Sequence, residues 1–197
     1  MSSHGMVLPK VVSPRNVVQV IAWLSFVALT VWVHHEVKFT GRHATQSGAV
    51  RELGRLKIGN PAPAFSTRDL EGHAVALGTF RGQKVVVLDF WATWCVPCRM
   101  GMPSLQALHD EFTTQNIEIL AVNQGEGPAQ VRSFMGKKGY TVRALLDQDE
   151  TIGETFGVRA IPTMVVIDKR GLVQWIHVGS LTEPDAVKPV LKRLIAE

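Results

Sequence analysis

Apolar runs alternate with helix-spaced stretches along most of the chain. KVVVLDFWA (Lys84–Ala92) is almost unbroken in its apolar character, the pattern of a central strand covered on both faces. From Pro97 to Thr113, Met102, Leu105, Leu108 and Phe112 recur at helical spacing around Pro103. IEILAVN (Ile117–Asn123) predicts a second buried strand, and Pro128–Gly139 a helix opened by proline and closed by glycine. A short strand at TVRALLD, a short helix over Glu150–Phe156 and two strands, TMVVID (Thr163–Asp168) and LVQWIHV (Leu172–Val178), follow. A last helix is predicted over Glu183–Ile195, and upstream LEGHAVAL (Leu70–Leu77) predicts a hairpin around Glu71-Gly72. Strands and helices in this alternation predict a three-layer α/β sandwich with a mixed central sheet.

The N-terminal quarter has a different pattern. Val17 to Val33 runs for 17 residues without a charge, glycine or proline. As a helix it would span roughly 25 Å, near the short limit for crossing a hydrocarbon core. Pro14 and Arg15 precede it and Trp32, His34 and His35 close it, a rim suited to a membrane interface. A cleaved signal peptide is the alternative, but its small-residue site would be as far away as Ser47-Gly48-Ala49. No face of the segment is polar, which disfavours a buried soluble helix. The predicted organisation is a flank over residues 1–16, a transmembrane anchor over 17–33, a linker over 34–56 and one globular domain over 57–197. Lysines and arginines on both sides of the span leave its orientation undecided by charge alone.

Charge narrows the function. The net +4 of the chain resides in residues 1–56, where six Lys/Arg (Lys10, Arg15, Lys38, Arg42, Arg51, Arg55) face Glu36 and Glu52. The remainder nets zero, so the globular part carries no basic footprint and nucleic acid is not an expected partner. Gln124-Gly125-Glu126-Gly127 lacks the Lys-Ser/Thr ending of a phosphate loop. His73 and His109 read as solvated, and Met100 and Met102 as helix packing.

The chemistry concentrates in WATWCVPC (Trp91–Cys98), which holds the only two cysteines of the chain. Haem attachment would need histidine after Cys98, and Arg99 stands there. A structural zinc site needs four ligands, and there is no second cysteine pair. A redox dithiol fits the strand-to-helix position, because unpaired N–H groups at a helix start favour thiolate over thiol. Pro97 stiffens that first turn without wasting a donor.

VVVLDFWATWCVPCRMGMP, with GNPAPAF before it and IPTMVVIDKRG after it, resembles the thioredoxin superfamily. Residues 57–197 are similar to its membrane-anchored, TlpA-like and ResA-like thiol–disulfide oxidoreductases, related to the cytochrome c biogenesis thioredoxins. The resemblance implies a thioredoxin-like α/β/α sandwich with an N-terminal hairpin extension and a central β/α insertion. It implies Cys95 as the more exposed, attacking cysteine, Cys98 as the resolving one, and no cofactor beyond their disulfide. It further implies Trp94 and Pro97 at the docking surface, and a cis-proline loop at Ala160, Ile161 and Pro162 that pairs with a bound peptide. Asp89 matches a buried aspartate that desolvation would push towards neutrality, so that it exchanges protons with Cys98. Gly101 departs from the pattern, since many relatives carry glutamate there. Implied partners are cysteine-bearing proteins, such as apocytochrome c or copper proteins, and a membrane electron donor of DsbD or CcdA type, with the domain on the extracytoplasmic side of a bacterial membrane. An oxidant or isomerase of the same fold, or copper delivery through CVPC, is the alternative.

Overall fold

Branched and aromatic side chains at nearly every position of Val85–Trp91 leave that strand no polar face, and all seven residues are buried. Around it the structure, a computed structural model, describes residues 48–54 and 56–197. The expected flank, membrane anchor and most of the linker lie outside the described residues. No helix among the described residues is long and apolar enough to cross a membrane.

In chain order the strands are β1 (Gly48–Val50), β2 (Glu52–Leu53), β3 (Leu56–Lys57), β4 (Ser66–Asp69), β5 (Ala74–Ala76), β6 (Val85–Trp91), β7 (Ile117–Gln124), β8 (Arg143–Asp147), β9 (Thr163–Ile167) and β10 (Val173–Val178). The helices are α1 (Val96–Phe112), α2 (Pro128–Lys138), α3 (Thr151–Thr155) and α4 (Lys188–Ala196). Eight strands form one mixed sheet in the order β1-β10-β9-β6-β7-β8-β4-β5, while β2 and β3 pair separately. Strands β6, β7 and β8 run parallel, β9 pairs antiparallel with β6, and β10 pairs antiparallel with β9. Alternation along β6 divides the core. Val85, Val87 and Trp91 pack with residues of α1, α2 and α4, and Val86, Leu88 and Phe90 pack with Phe156, Leu77 and Leu56 on the opposite face. The result is the expected three-layer sandwich with a mixed sheet.

The structure departs from the sequence expectation at three places. Gly48–Val50, within the stretch expected to be linker, pairs antiparallel with Val178–Ile176 and extends the sheet by an edge strand. The last helix is not continuous from Glu183. A 3-10 turn at Pro184–Ala186 precedes α4, which opens with Pro189 in its first turn. A helix running through residue 185 would set the Pro189 ring against the Asp185 carbonyl, so the chain breaks at Val187. The hairpin strands lie at Ser66–Asp69 and Ala74–Ala76, wider apart than a turn confined to Glu71-Gly72.

Parallel pairing has a consequence for chemistry. The carboxyl ends of β6, β7 and β8 meet at one edge, where ligands of open α/β sheets gather. The loops leaving them carry Thr93–Cys95, Gly125–Glu126 and Gln148–Glu150, next to the strand-end residues Gln124 and Asp147.

Candidate active site

The loop after β6 ends at Cys95, whose extended backbone (φ −76°, ψ 106°) caps α1. Its sulfur accepts from the Cys98 N–H at 3.2 Å, satisfying one of the donors that a helix start leaves unpaired. Pro97 occupies the first turn, where its missing N–H costs nothing. Cys95 and Cys98 form a disulfide with Cα atoms 5.2 Å apart. The two cysteines differ little in exposure, at 4% and 2%. What separates them is a cleft of about 570 Å³ that Cys95 lines and Cys98 does not.

Trp94, Val96, Pro97, Val158, Ala160 and Ile161 supply the apolar walls of this cleft. Trp94 is 66% exposed and Val96 and Met100 are exposed as well, three large apolar side chains within a few residues of the disulfide left facing solvent. The Ile161–Pro162 bond is cis, and the Ile161 carbonyl oxygen lies 3.7 Å from Cys95 Sγ. Residues 160–162 and the dithiol, 62 or more positions apart in the chain, are thus brought to one opening.

Asp89 lies on the face of β6 shared by Val87 and Trp91, the face on which Cys98 is buried. It is flanked by Ala121 on β7 and Met164 on β9, so no neighbouring strand supplies a cation at its level. Burial pushes its carboxyl up from 3.8 to about 7. Gly101, one helical turn beyond Cys98, packs against the loop after β10. A Cβ there would lie 3.2 Å from Ser180 Oγ and 3.6 Å from the Leu181 nitrogen.

The loop after β7 contributes a residue that motif reading passed over. Glu126 is buried and accepts from the Thr93 N–H at 2.7 Å, from Thr93 Oγ1 at 2.5 Å, from Asn123 Nδ2 at 2.7 Å and from Gln130 Nε2. It fastens the chain two residues before Cys95 to the neighbouring loop. The available signal was positional: a lone carboxylate at the carboxyl end of a buried parallel strand, on the edge where the dithiol emerges.

A disulfide at the start of a helix, at the carboxyl edge of this sheet, defines a thioredoxin-like thiol–disulfide oxidoreductase. The chain belongs to the AhpC/TSA family, whose model matches residues 58–176. It is 40% identical over 134 residues to the thiol-disulfide oxidoreductase ResA of Geobacillus thermodenitrificans, covering 68% of this chain and 76% of that protein. It is 34% identical over 166 residues to the thioredoxin-like protein YneN of Bacillus subtilis, covering 83% of this chain and 93% of the relative. Among solved structures, the thioredoxin domain of a thiol-disulfide oxidoreductase from Bacteroides vulgatus superposes with a TM-score of 0.61 at 25% identity, over 71% of this chain and 99% of that one. The protein is an enzyme of the ResA type with a Cys95–Cys98 pair.

Two stability predictions follow from the buried carboxylates. Below about pH 4 both the folded and the unfolded chain hold the Asp89 proton. Between about pH 4 and 7 the unfolded chain releases it while the folded one keeps it, so stability falls through that window by on the order of 4 kcal/mol. Asp89→Asn should therefore raise the free energy of unfolding by a few kcal/mol at about pH 8 and change it little at about pH 4. Denaturant titrations at the two pH values check this, and an equal effect at both would contradict it. Glu126→Ala should cost about 2–3 kcal/mol in the same titrations, because it strands several buried donors at once.

Proposed function

We propose that the protein is a membrane-tethered protein-disulfide reductase of the extracytoplasmic space. It is held there by residues 17–33, with residues 1–16 as a short flank and the redoxin domain reaching the substrate. Its substrates are proteins whose cysteine pairs must be reduced before they accept haem or metal, such as apocytochrome c or copper proteins. Its electrons come from a membrane donor of DsbD or CcdA type. Outside the cytoplasm thiols tend towards disulfides, and an oxidised ligand pair cannot take its metal.

The observation that carries this reading is the Cys95–Cys98 disulfide lying at an apolar cleft, with only Cys95 on the cleft side. In the reduced enzyme the Cys98 N–H and the start of α1 favour negative charge on the Cys95 sulfur. That thiolate attacks one sulfur of the partner's disulfide and expels the other as a thiolate, leaving a mixed disulfide. The Cys98 sulfur then attacks Cys95 Sγ and expels the second partner sulfur. The partner gains two electrons and two protons, and the enzyme is left oxidised.

Cys98 must lose its proton before the second step. Asp89, buried on the same face and titrating at about 7, is suited to take that proton and return it. Trp94 and Pro97 form one wall against the partner. Ala160 and Ile161, ahead of Pro162, offer backbone groups to an extended chain.

Trapping tests the reading directly. Cys98→Ser in intact cells should accumulate a covalent adduct through Cys95, released by reductant, whose partner is a cysteine-pair protein. No adduct, or an adduct that persists in Cys95→Ser, would refute it. Asp89→Asn should slow resolution of a preformed mixed disulfide about tenfold or more at neutral pH while leaving Cys95 alkylation near its original rate. Unchanged resolution would remove Asp89 from the mechanism.

A further inference from the structure

Among the described residues, the cleft beside Cys95 has three polar lining side chains: Gln124, Glu150 and Arg159. Gln124 is buried and committed, donating to Asp147 Oδ2 at 2.5 Å. Glu150 and Arg159 are exposed, and neither belongs to an ion pair among the described residues. They face the cleft from different elements, Glu150 at the start of α3 and Arg159 on the segment leading into Ile161–Pro162.

Two observations distinguish Glu150 from an ordinary surface carboxylate. Its backbone is left-handed (φ 60°, ψ 13°), and it is the only non-glycine residue with positive φ among the described residues. Such a residue persists where its surroundings determine it. Its N–H donates to the Asp147 carbonyl at 3.1 Å, and its carbonyl accepts from the Glu154 N–H at 2.9 Å. The buried Asp147 carboxylate holds the same turn by accepting from the N–H groups of Ile152 at 3.0 Å and Gly153 at 2.8 Å. Secondly, the Glu150 carboxylate rests on Gly125. A Cβ at Gly125 would come 2.6 Å from Glu150 Oε1, so the missing side chain is what lets the carboxylate lie against the end of β7.

We propose that Glu150 and Arg159 are specificity-determining residues, and that the cleft selects a polypeptide whose reacting cysteine is bracketed by a cationic side chain on one flank and an anionic one on the other. The proposal rests on the dithiol chemistry above and adds the substrate class. An extended chain laid along Ala160–Ile161 carries its flanks past both charges, the cation towards Glu150 and the anion towards Arg159. Each match lies in a partly solvated cleft, so it changes rates by a few-fold and fades with salt.

The test uses the full chain, pre-reduced, in single turnover against three peptides. Each carries one cysteine as a pyridyl disulfide, flanked Lys-x-Cys-x-Glu, Glu-x-Cys-x-Lys or Gln-x-Cys-x-Gln, and release of 2-thiopyridone gives the second-order rate constant. At low ionic strength the two charged orders should differ about three- to fivefold. Glu150→Gln and Arg159→Gln should each shrink that ratio, and the double variant Glu150→Lys with Arg159→Glu should invert it. Equal rates for the two orders, or a ratio that survives both single variants and the swap, would overturn the assignment while turnover of the neutral peptide upholds the dithiol chemistry. Failure of the unsubstituted protein to reduce any of the three would overturn both.

Discussion

Parallel pairing of β6 with β7, and of β7 with β8, is the constraint from which the site grows. Three strands running one way must end at one edge, and each then needs a loop to return. The WATWC segment, the Gly125–Glu126 loop and the Gln148–Glu150 turn are those three exits. Hydrogen bonds lock them together, part-buried from Thr93 to Glu126 and buried from Gln124 to Asp147. The dithiol therefore stands on a braced platform. Antiparallel β9, beside β6, adds the one further wall, because the Ile161–Pro162 segment enters that strand at the same edge.

Electrostatics in this arrangement come from what surrounds each group. Asp89 lies between Ala121 and Met164, so desolvation acts on it unopposed and its carboxyl titrates near neutrality. Glu126 is buried as well, but every approach to it is a donor. Two buried carboxylates thus have different surroundings. One gives up stability for a titratable proton, and the other holds a loop in place.

The sheet and its helices were legible because the signals were strong. Val85–Trp91 and Ile117–Gln124 are long apolar runs, and α1 begins where the CVPC motif and its proline say it should. Gly48–Val50 is not legible in the sequence because three small or branched residues at a sheet edge carry no period. The break before α4 was masked by apolar spacing that continued across it, although Pro184 and Pro189 were visible. Within the site, the cysteines and Pro162 could be read from local motif. Glu126 and Glu150 could not, because their places depend on which strands are neighbours, and Glu150 on a left-handed turn that no pairwise spacing announces.

The contact of Gly101 with Ser180 and Leu181 bears on how such a site can change its tuning. A side chain at this position, next to Cys98, would bring its Cβ to 3.2 Å from the Ser180 hydroxyl, tighter than most such contacts. The Ser180 hydroxyl would have to give by a few tenths of an ångström to admit it, whereas the Leu181 backbone stays at ordinary contact distance. Tuning by substitution in this turn of the helix is thereby coupled to the loop that follows β10.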